Sequence, residues 1–564
     1  MSDIRVVVGL DFGTTYSGFT YCHVKNRSYT TNDQWPGSRG QCQYKTNTVL
    51  KYDDTFTNVE LWGCPALSKR PNRRLDRNQR ENVVELFKLH LGNLQAEIKE
   101  KYTISVNYKK AITDYLREIG KHIKEIVTGE WEIDVLKNVL LVLTVPAEYT
   151  QREKAIMREC AFNAGLISEK ESKRLEFTTE PEAAAIYCMD NVLDEHGLSD
   201  SGTTFMIVDC GGGTVDLTTR KLLNGKQLSE VTERAGDYCG SAFIDAEFLD
   251  YLRRKFGDSA MNLLRNNFYG QMQYMVQEFC QHVKFEFTGD DTTFGYKMDL
   301  TEVSPVLLQY VNDEVKQQME EVEWLIELDY KKIKSMFDPV IERILRMIRV
   351  QLDNCHEKGS KCSAMLLVGG FSQSEYLQKR VKEEFQYNRD HPDINISVPT
   401  IPIAAVSRGA AIYGLGFKNM DDDELDGLMF AIDSRILKLT YGIKILKPGD
   451  PKFRFHLIAK RGTKVQINEE FSVKVRPSFP FQTCGVFEIY CTREYDAKYC
   501  DKRDEPGIKL FGKLKIDWPD VHLGLERPTT FKLAFGQMEI TAKAYNETNG
   551  QNYQTSFEID AEEE

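Results

Sequence analysis

An acid at the end of an apolar run, followed at once by glycines and a threonine, is an arrangement that can do chemistry. This chain has it at Phe205 to Leu217, FMIVDCGGGTVDL. Apolar residues on both sides of so short a glycine turn read as a β-hairpin, not as the strand-to-helix passage of a Walker or Rossmann loop. Gly211, Gly212 and Gly213 let the backbone approach a bulky group and aim bare N–H groups at it, which suits a phosphate. Asp209 leaves the strand beside that turn, where a carboxylate can hold Mg2+ or its waters. Alone, such a hairpin is more often only a tight turn. The layout returns, however, at Val6 to Tyr21, VVVGLDFGTTYSGFTY, with Asp11, Gly13, Thr14 and Thr15 in the corresponding places. Two acid-tipped hairpins predict two halves of similar build facing one cleft. A nucleotide gripped from both sides requires such a pair, because backbone donors and a metal must neutralise its phosphates together.

A third glycine element, MLLVGGFSQSEYLQKRV from Met365 to Val381, has another form. An apolar strand runs into Gly369 and Gly370, and Ser372 begins a helical pattern with Tyr376, Leu377 and Val381 on one face. A strand, a Gly-Gly turn and a helix make a flat backbone surface on which a ribose or purine can rest. The order DFGTTYS, VPAEYTQRE, EPEAAA, DCGGGTVD and LLVGGFSQS resembles the nucleotide-binding domain of the heat-shock seventy-kilodalton (DnaK-type) chaperones, within the actin and sugar-kinase superfamily. The resemblance covers about the first three quarters of the chain. It implies an α/β, actin-like ATPase domain of two RNase H-like lobes around a nucleotide cleft, with ATP or ADP and Mg2+ as its ligands.

Composition sets the outer limits. With 564 residues the chain is too long for one core, and 41% hydrophobic and 28% charged residues describe an ordinary globular protein. A formal net charge of −12 argues against a basic nucleic-acid surface. Thirteen cysteines form no CxxC pair, and no zinc-ligand spacing links them. No signal peptide precedes Ile4 and no apolar run is long enough for a bilayer, so reduced thiols in the cytoplasm and no membrane partner are expected. Cys210, inside the glycine turn, reads either as a buried strand residue or as a thiol whose oxidation would disturb the turn.

Along the chain, several residues carry a plain structural reading beside the one the resemblance implies. Lys88 in FKLHLG is one solvated lysine among many, or the lysine that orients the attacking water. Pro146 ends the buried strand VLLVLTV, or, with Arg152, relays nucleotide state to a partner domain. Glu180 caps a helix that begins at Pro181, or belongs with Mg2+ and the lytic water. Gly236 and Gly240 in ERAGDYCGSAF match a glycine-containing turn near the nucleotide. Long helices are expected from about Ala242 to Phe287 and from Pro305 to about Asn354, the latter interrupted near Asp338 and Pro339. Where the family holds adenine with a Glu, Lys, Arg and Ser on one helix, this chain has Gln281, Lys284, Phe285 and Thr288, and Ile403 stands where an acid is usual. The phosphate grip is thus kept while the base clamp is altered, as in a divergent branch.

Residues 1–417 are expected to form the nucleotide-binding domain and 418–430, KNMDDDELDG and its neighbours, an acidic linker. In 431–564 helical periodicity gives way to FHLIAKR, TKVQI, FSVKV, VFEIYCTRE, KLFGKLKI and MEITAKAY, which read as a C-terminal antiparallel β-sandwich. By resemblance this is a peptide-binding sandwich, and with the chain ending at Glu564 no helical lid is expected. The resemblance implies unfolded or extended polypeptide clients, and admits J-domain and nucleotide-exchange cochaperones as partners.

The chemistry implied is ATP hydrolysis. Thr14, Thr15, Gly211, Gly212, Gly213 and Thr214 would surround the phosphates, with Gly13 and Tyr16 in the same loop and Lys284, Gly369 and Gly370 toward the sugar and base. Asp11, Asp209 and Glu180 would hold the metal mostly through water, and Lys88 with Thr214 would place the attacking water. Phosphoryl transfer needs mainly positioning and charge stabilisation, so no covalent nucleophile is required. Two other readings remain: a nucleotide-binding scaffold or switch with little turnover, and a small-molecule kinase of the same superfamily, which would leave the C-terminal region unexplained.

Overall fold

A computed structural model describes residues 3–26, 28–37, 43–71, 82–92, 99, 103–193, 197–224, 227–386, 394–418, 432–446, 452–535 and 538–555. The expected acidic linker lies outside them beyond Lys418. The chain divides into two compact units. One comprises Met1–Tyr149, Ile156–Thr218 and Arg234–Met429; the other comprises Thr150–Ala155, Thr219–Glu233 and Phe430–Glu564.

In the first unit one sheet has the spatial order Tyr29–Thr31, Tyr16–His23, Val6–Phe12, Val139–Val145, Leu175–Thr179. Its first hairpin is antiparallel with Asp11 opposite Gly18, and its last three strands run parallel. Val6–Phe12 and Val139–Val145 are buried at every position, as unbroken apolar runs require of strands covered on both faces. The helix Ala405–Lys418 lies on this sheet, where Ser407 and Thr20 share a hydroxyl hydrogen bond of 2.9 Å.

A second sheet of the same unit repeats that plan. Thr204–Cys210, Ala364–Val368 and Asn395–Ser397 run parallel, and the strand beginning at Val215 lies on the other side of Thr204–Cys210. Ala235–Asp237 pairs with that strand, Val215 opposite Asp237. Each acid-tipped apolar run is the first strand of its hairpin and has a parallel neighbour on its other side, which puts both acids at the carboxyl end of a buried strand.

The helical regions differ from their sequence pattern. The first is three helices, Ala242–Phe256, Asp258–Asn267 and Tyr269–Phe279, ending in a π-turn at Cys280–Lys284, because Gly257 takes φ +86° and Phe268 leaves helical geometry. The second is not broken at Asp338 and Pro339. Tyr330–Glu357 is one helix with Pro339 inside it, and the break comes earlier, at the strand Leu325–Asp329 paired with Gly295–Asp299. Burial of Ile333, Phe337, Ile341, Ile344 and Ile348 along one face outweighs the roughly 3 kcal/mol that an internal proline costs. The helix after Gly369 and Gly370 starts at Glu375 and is capped by Ser374, whose hydroxyl accepts from Leu377 N–H; Ser372 instead donates to Val368 O at 2.6 Å.

The second unit holds two four-stranded antiparallel sheets. One has the order Phe453–Ala459, Thr440–Leu446, Cys484–Thr492, Lys509–Asp517, and the other Glu470–Val475, Thr529–Ala534, Thr541–Asn546, Asn552–Thr555. Tyr441, Ile489, Trp518, Phe531 and Leu533 belong to one shared hydrophobic core. TKVQI does not join either sheet. Lys464–Gln466 pairs with Ile432–Ile436, which runs parallel to Gln227–Glu230 in the same unit. The Ile436 N–H donates to the Glu230 carboxylate at 2.6 Å, a charge-assisted bond that ties those strands together.

Candidate functional site

The two hairpin turns meet inside the first unit. A β-carbon built on Gly213 would lie 2.5 Å from Thr14 Oγ1, and one on Gly212 would collide with Thr15. The Gly211 turn closes on itself through Gly211 N–H to Thr214 O, 2.9 Å. Gly240, Ser241 and Ala242 then donate to the carbonyls of Gly213, Gly211 and Gly212 at 3.2, 3.1 and 2.8 Å. These bonds to its carbonyls fix the turn against the segment that follows it. The Gly13 turn is held by Thr48, which donates its N–H to Thr15 O at 2.8 Å and its hydroxyl to Gly13 O at 2.9 Å. Tyr16, next along, is exposed.

Gly369 packs against the strand end that carries Asp209. It sits at φ +85°, where a side chain would be strained, and a β-carbon there would lie 2.4 Å from Asp209 Oδ1. Gly370 lies beside Ile403, 3.8 Å from where its own β-carbon would be. Gly236 abuts Asp216 and Glu148.

Carboxylates gather around these turns. Asp11, Glu180, Asp209 and Asp216 are all buried. Burial first, then the charges of Glu180, Asp11 and Asp216, hold the Asp209 carboxyl well above its usual range. Burial likewise raises Glu180, opposed by Lys88. Asp216 is pushed up to about 7 by burial and by Glu180, although it accepts a hydrogen bond from Ala147 N–H at 2.8 Å. Such crowding favours a cation. Among the described residues no three His, Cys, Asp or Glu side chains converge on a single point that could hold an ion directly.

Lys88 is not a solvated lysine. It is 3% exposed, in the 3-10 turn Phe87–Leu91 that follows Leu86 at φ 58°. Its ammonium donates to Phe12 O and to Glu180 Oε1 at 2.7 Å, over the Phe12 ring. Glu180 is therefore turned to Lys88, while the helix cap is Thr179, whose hydroxyl accepts from Glu182 N–H. Cys210 is fully buried, and burial pushes its thiol up to about 12, which makes it an inert strand residue. Pro146 is buried at the end of its strand, and Arg152 is exposed in the first turn of Gln151–Asn163.

Of the residues expected toward the sugar and base, Lys284 is buried with its ammonium 2.6 Å from Asp245 Oδ1 and 3.4 Å from Ser241 O. Its neighbour Phe285 is 64% exposed, Gln281 is exposed and Thr288 is half-buried. The segment after Phe285 packs on the helix Glu375–Phe385 through Phe287 and Tyr376, whose ring centroids lie 4.9 Å apart.

Three participants escape sequence reasoning. Asp216 stands between Val215 and Leu217, an acid in an apolar strand, which is a usable signal. Asp245 lies in an ordinary amphipathic helix, and Lys45 in a polar stretch with no pattern. Lys45 nevertheless places its ammonium 2.6 Å from Asp11 Oδ2.

Comparison with known proteins fits this architecture. The family model described as Hsp70 protein matches residues 77–445. Heat shock 70 kDa protein 12A of Homo sapiens is 23% identical over an alignment covering 96% of this chain and 89% of the relative. Heat shock 70 kDa protein 12B of Homo sapiens is 22% identical, covering 99% and 91%. Chaperone protein DnaK of Psychrobacter cryohalolentis is 26% identical over 48% of this chain and 37% of the relative. The family has an actin-like ATPase fold and generally binds nucleotide with Mg2+, and the mixed α/β sheets described above fit that fold. The chain belongs to the Hsp70 family.

Proposed function

We propose that this protein binds ATP and ADP between its two glycine turns and hydrolyses ATP as a divergent, chaperone-type ATPase. The observation that carries the reading is the packing of Thr14 and Thr15 against Gly213 and Gly212 with Asp11, Glu180, Asp209 and Lys88 gathered beside them. The peptide N–H groups of the turns and the hydroxyls of Thr14, Thr15 and Thr214 bind phosphate oxygens. Asp11, Asp209 and Glu180 would hold Mg2+ through water, and that ion would supply the charge neutralisation that phosphoryl transfer needs. Lys88, fixed by Phe12 O and Glu180, positions the attacking water with Thr214. Asp216, a carboxyl near neutrality in its proton affinity, is suited to take that water's proton. Gly236, Gly240, Gly369 and Gly370 bring backbone close to the nucleotide, and Lys284 stands toward the sugar.

The paired antiparallel sheets of the second unit read as a β-sandwich that takes extended polypeptide along an exposed strand. Residues 1–417 and 431–564 would then be the two functional domains, with Pro146 and Arg152 relaying nucleotide state. The described cysteines are free thiols, which suits a reducing compartment such as the cytoplasm. Among the described residues no helix is long and apolar enough to cross a membrane.

Phosphate release measured on wild type and Lys88→Ala tests the ATPase. A wild-type rate well above the variant supports it, and equal background rates favour the second reading, a nucleotide-bound switch. The exposed Phe285 and apolar Ile403 of the base side are the observation behind that alternative.

A further inference from the structure

The acid cluster contains a second lysine that the catalytic reading does not use. Asp11 pairs across the first hairpin with Gly18. A β-carbon on Gly18 would stand 2.8 Å from Lys45 Cγ, so the stem of Lys45 lies across the one position in that strand where no side chain blocks it. The stem delivers the ammonium to Asp11 Oδ2 at 2.6 Å, with the two side chains only 10% and 4% exposed. Lysine side chains are mostly exposed, whereas this one is largely covered and set against the acid that leads the first glycine turn.

Charge shows what such a lysine can do. The cluster has four acids, Asp11, Glu180, Asp209 and Asp216, and before any ligand arrives Lys45 and Lys88 each neutralise one of them. A nucleotide brings several negative charges into the same space, and in a partly buried cleft like charges at contact distance repel strongly unless a cation compensates them. An ammonium has three donors. Asp11 takes one, leaving Lys45 able to bridge Asp11 and a phosphate oxygen.

We propose that Lys45 is a resident counter-cation of the phosphate cleft, so that this chain holds a nucleoside diphosphate even when divalent metal is removed. Turnover still requires the metal; binding does not. The proposal rests on the nucleotide reading above and concerns how the same cleft is neutralised.

The test is calorimetric titration of ADP into the full chain, once with excess Mg2+ and once with EDTA in its place. The wild-type Kd is expected to rise by less than about tenfold on chelation, whereas Lys45→Met binds with Mg2+ and weakens about a hundredfold or more in EDTA. Lys45→Arg, which keeps the charge, should retain the wild-type ratio. Wild-type binding that vanishes in EDTA overturns the proposal while leaving the nucleotide site intact, and so does a Lys45→Met protein with the wild-type ratio. Binding in neither buffer defeats the nucleotide reading and this proposal with it. Wild type alone supplies the decisive first comparison, so the proposal stays testable should Lys45→Met fail to fold.

Discussion

A β-carbon on Gly212 would stand 1.9 Å from Thr15 Oγ1 and 2.9 Å from both Cβ and Cγ2 of that threonine. The two glycine turns thus touch where only a hydrogen atom fits. Gly212→Ala must push them apart, and ADP affinity is expected to fall by at least about tenfold. Gly129→Ala is the control, because its methyl meets nothing within 4 Å in the helix Tyr108–Glu130. It should leave affinity unchanged and add about 0.5–1 kcal/mol of stability. Fluorescence titration of both variants checks this, and equal affinities would refute the contact.

Lys88 and Glu180 form a buried ion pair. Lys88→Ala leaves a carboxylate without its partner among other acids, at a cost of about 3–5 kcal/mol in stability. Phosphate release should fall at least about a hundredfold. Lys88→Ala combined with Glu180→Gln should recover much of the stability and none of the turnover. Chemical denaturation and a steady-state phosphate assay read the two effects separately; recovery of turnover in the double variant would contradict the role given to Lys88.

Asp216 gives a pH dependence of definite direction. Folded, it binds its proton up to about 7, against an ordinary 3.8. Below the ordinary value both states hold the proton, so this group adds no dependence of stability on pH. As pH rises through the interval toward 7 the unfolded chain releases the proton first, so stability is lost, and above it the loss is constant. Asp216→Asn, which can still accept from Ala147 N–H, should therefore gain in melting temperature over wild type more at pH 8 than at pH 5. A gain that does not vary with pH would show that the carboxyl titrates normally.

How far the sequence revealed this site follows from what each contact depends on. Asp11 and Asp209 are legible because an acid ending an apolar strand before glycine or threonine is a local pattern, and Lys88 stands out only through the resemblance of FKLHLG to the family. Lys45 does not stand out, because its reach to Asp11 depends on a bare Gly18 opposite that acid, a relation that exists only once the hairpin has paired. Pro339 misled in the other direction, since a proline signals a break locally while the buried face of Tyr330–Glu357 is decided by packing. The strands Gly295–Asp299 and Leu325–Asp329 are five residues each and bury Met298, Ile326 and Leu328, too short a pattern to stand out from the helical sequence around it.

The second unit offers its own test at Arg527, which is fully buried and donates to the carbonyls of Gly524, Gln482, Trp518 and Pro480. It thereby staples the loop that carries the exposed Phe479 and Phe481. Arg527→Ala leaves those acceptors unsatisfied and should cost about 3 kcal/mol or more, with Arg527→Lys recovering little because an ammonium cannot span the same fork. Limited proteolysis should cut first near residues 478–484 in both variants; wild-type resistance would show the staple to be dispensable.

Calorimetric titration of Mg2+ADP into the full chain tests the meeting of the two turns most directly. Saturable binding of one nucleotide per chain, strongly weakened in Gly212→Ala and preserved in Gly129→Ala, is the expected result. No saturable heat, or the same affinity in Gly212→Ala as in wild type, would mean that the cleft between Thr14, Thr15, Gly212 and Gly213 is not where a nucleotide sits.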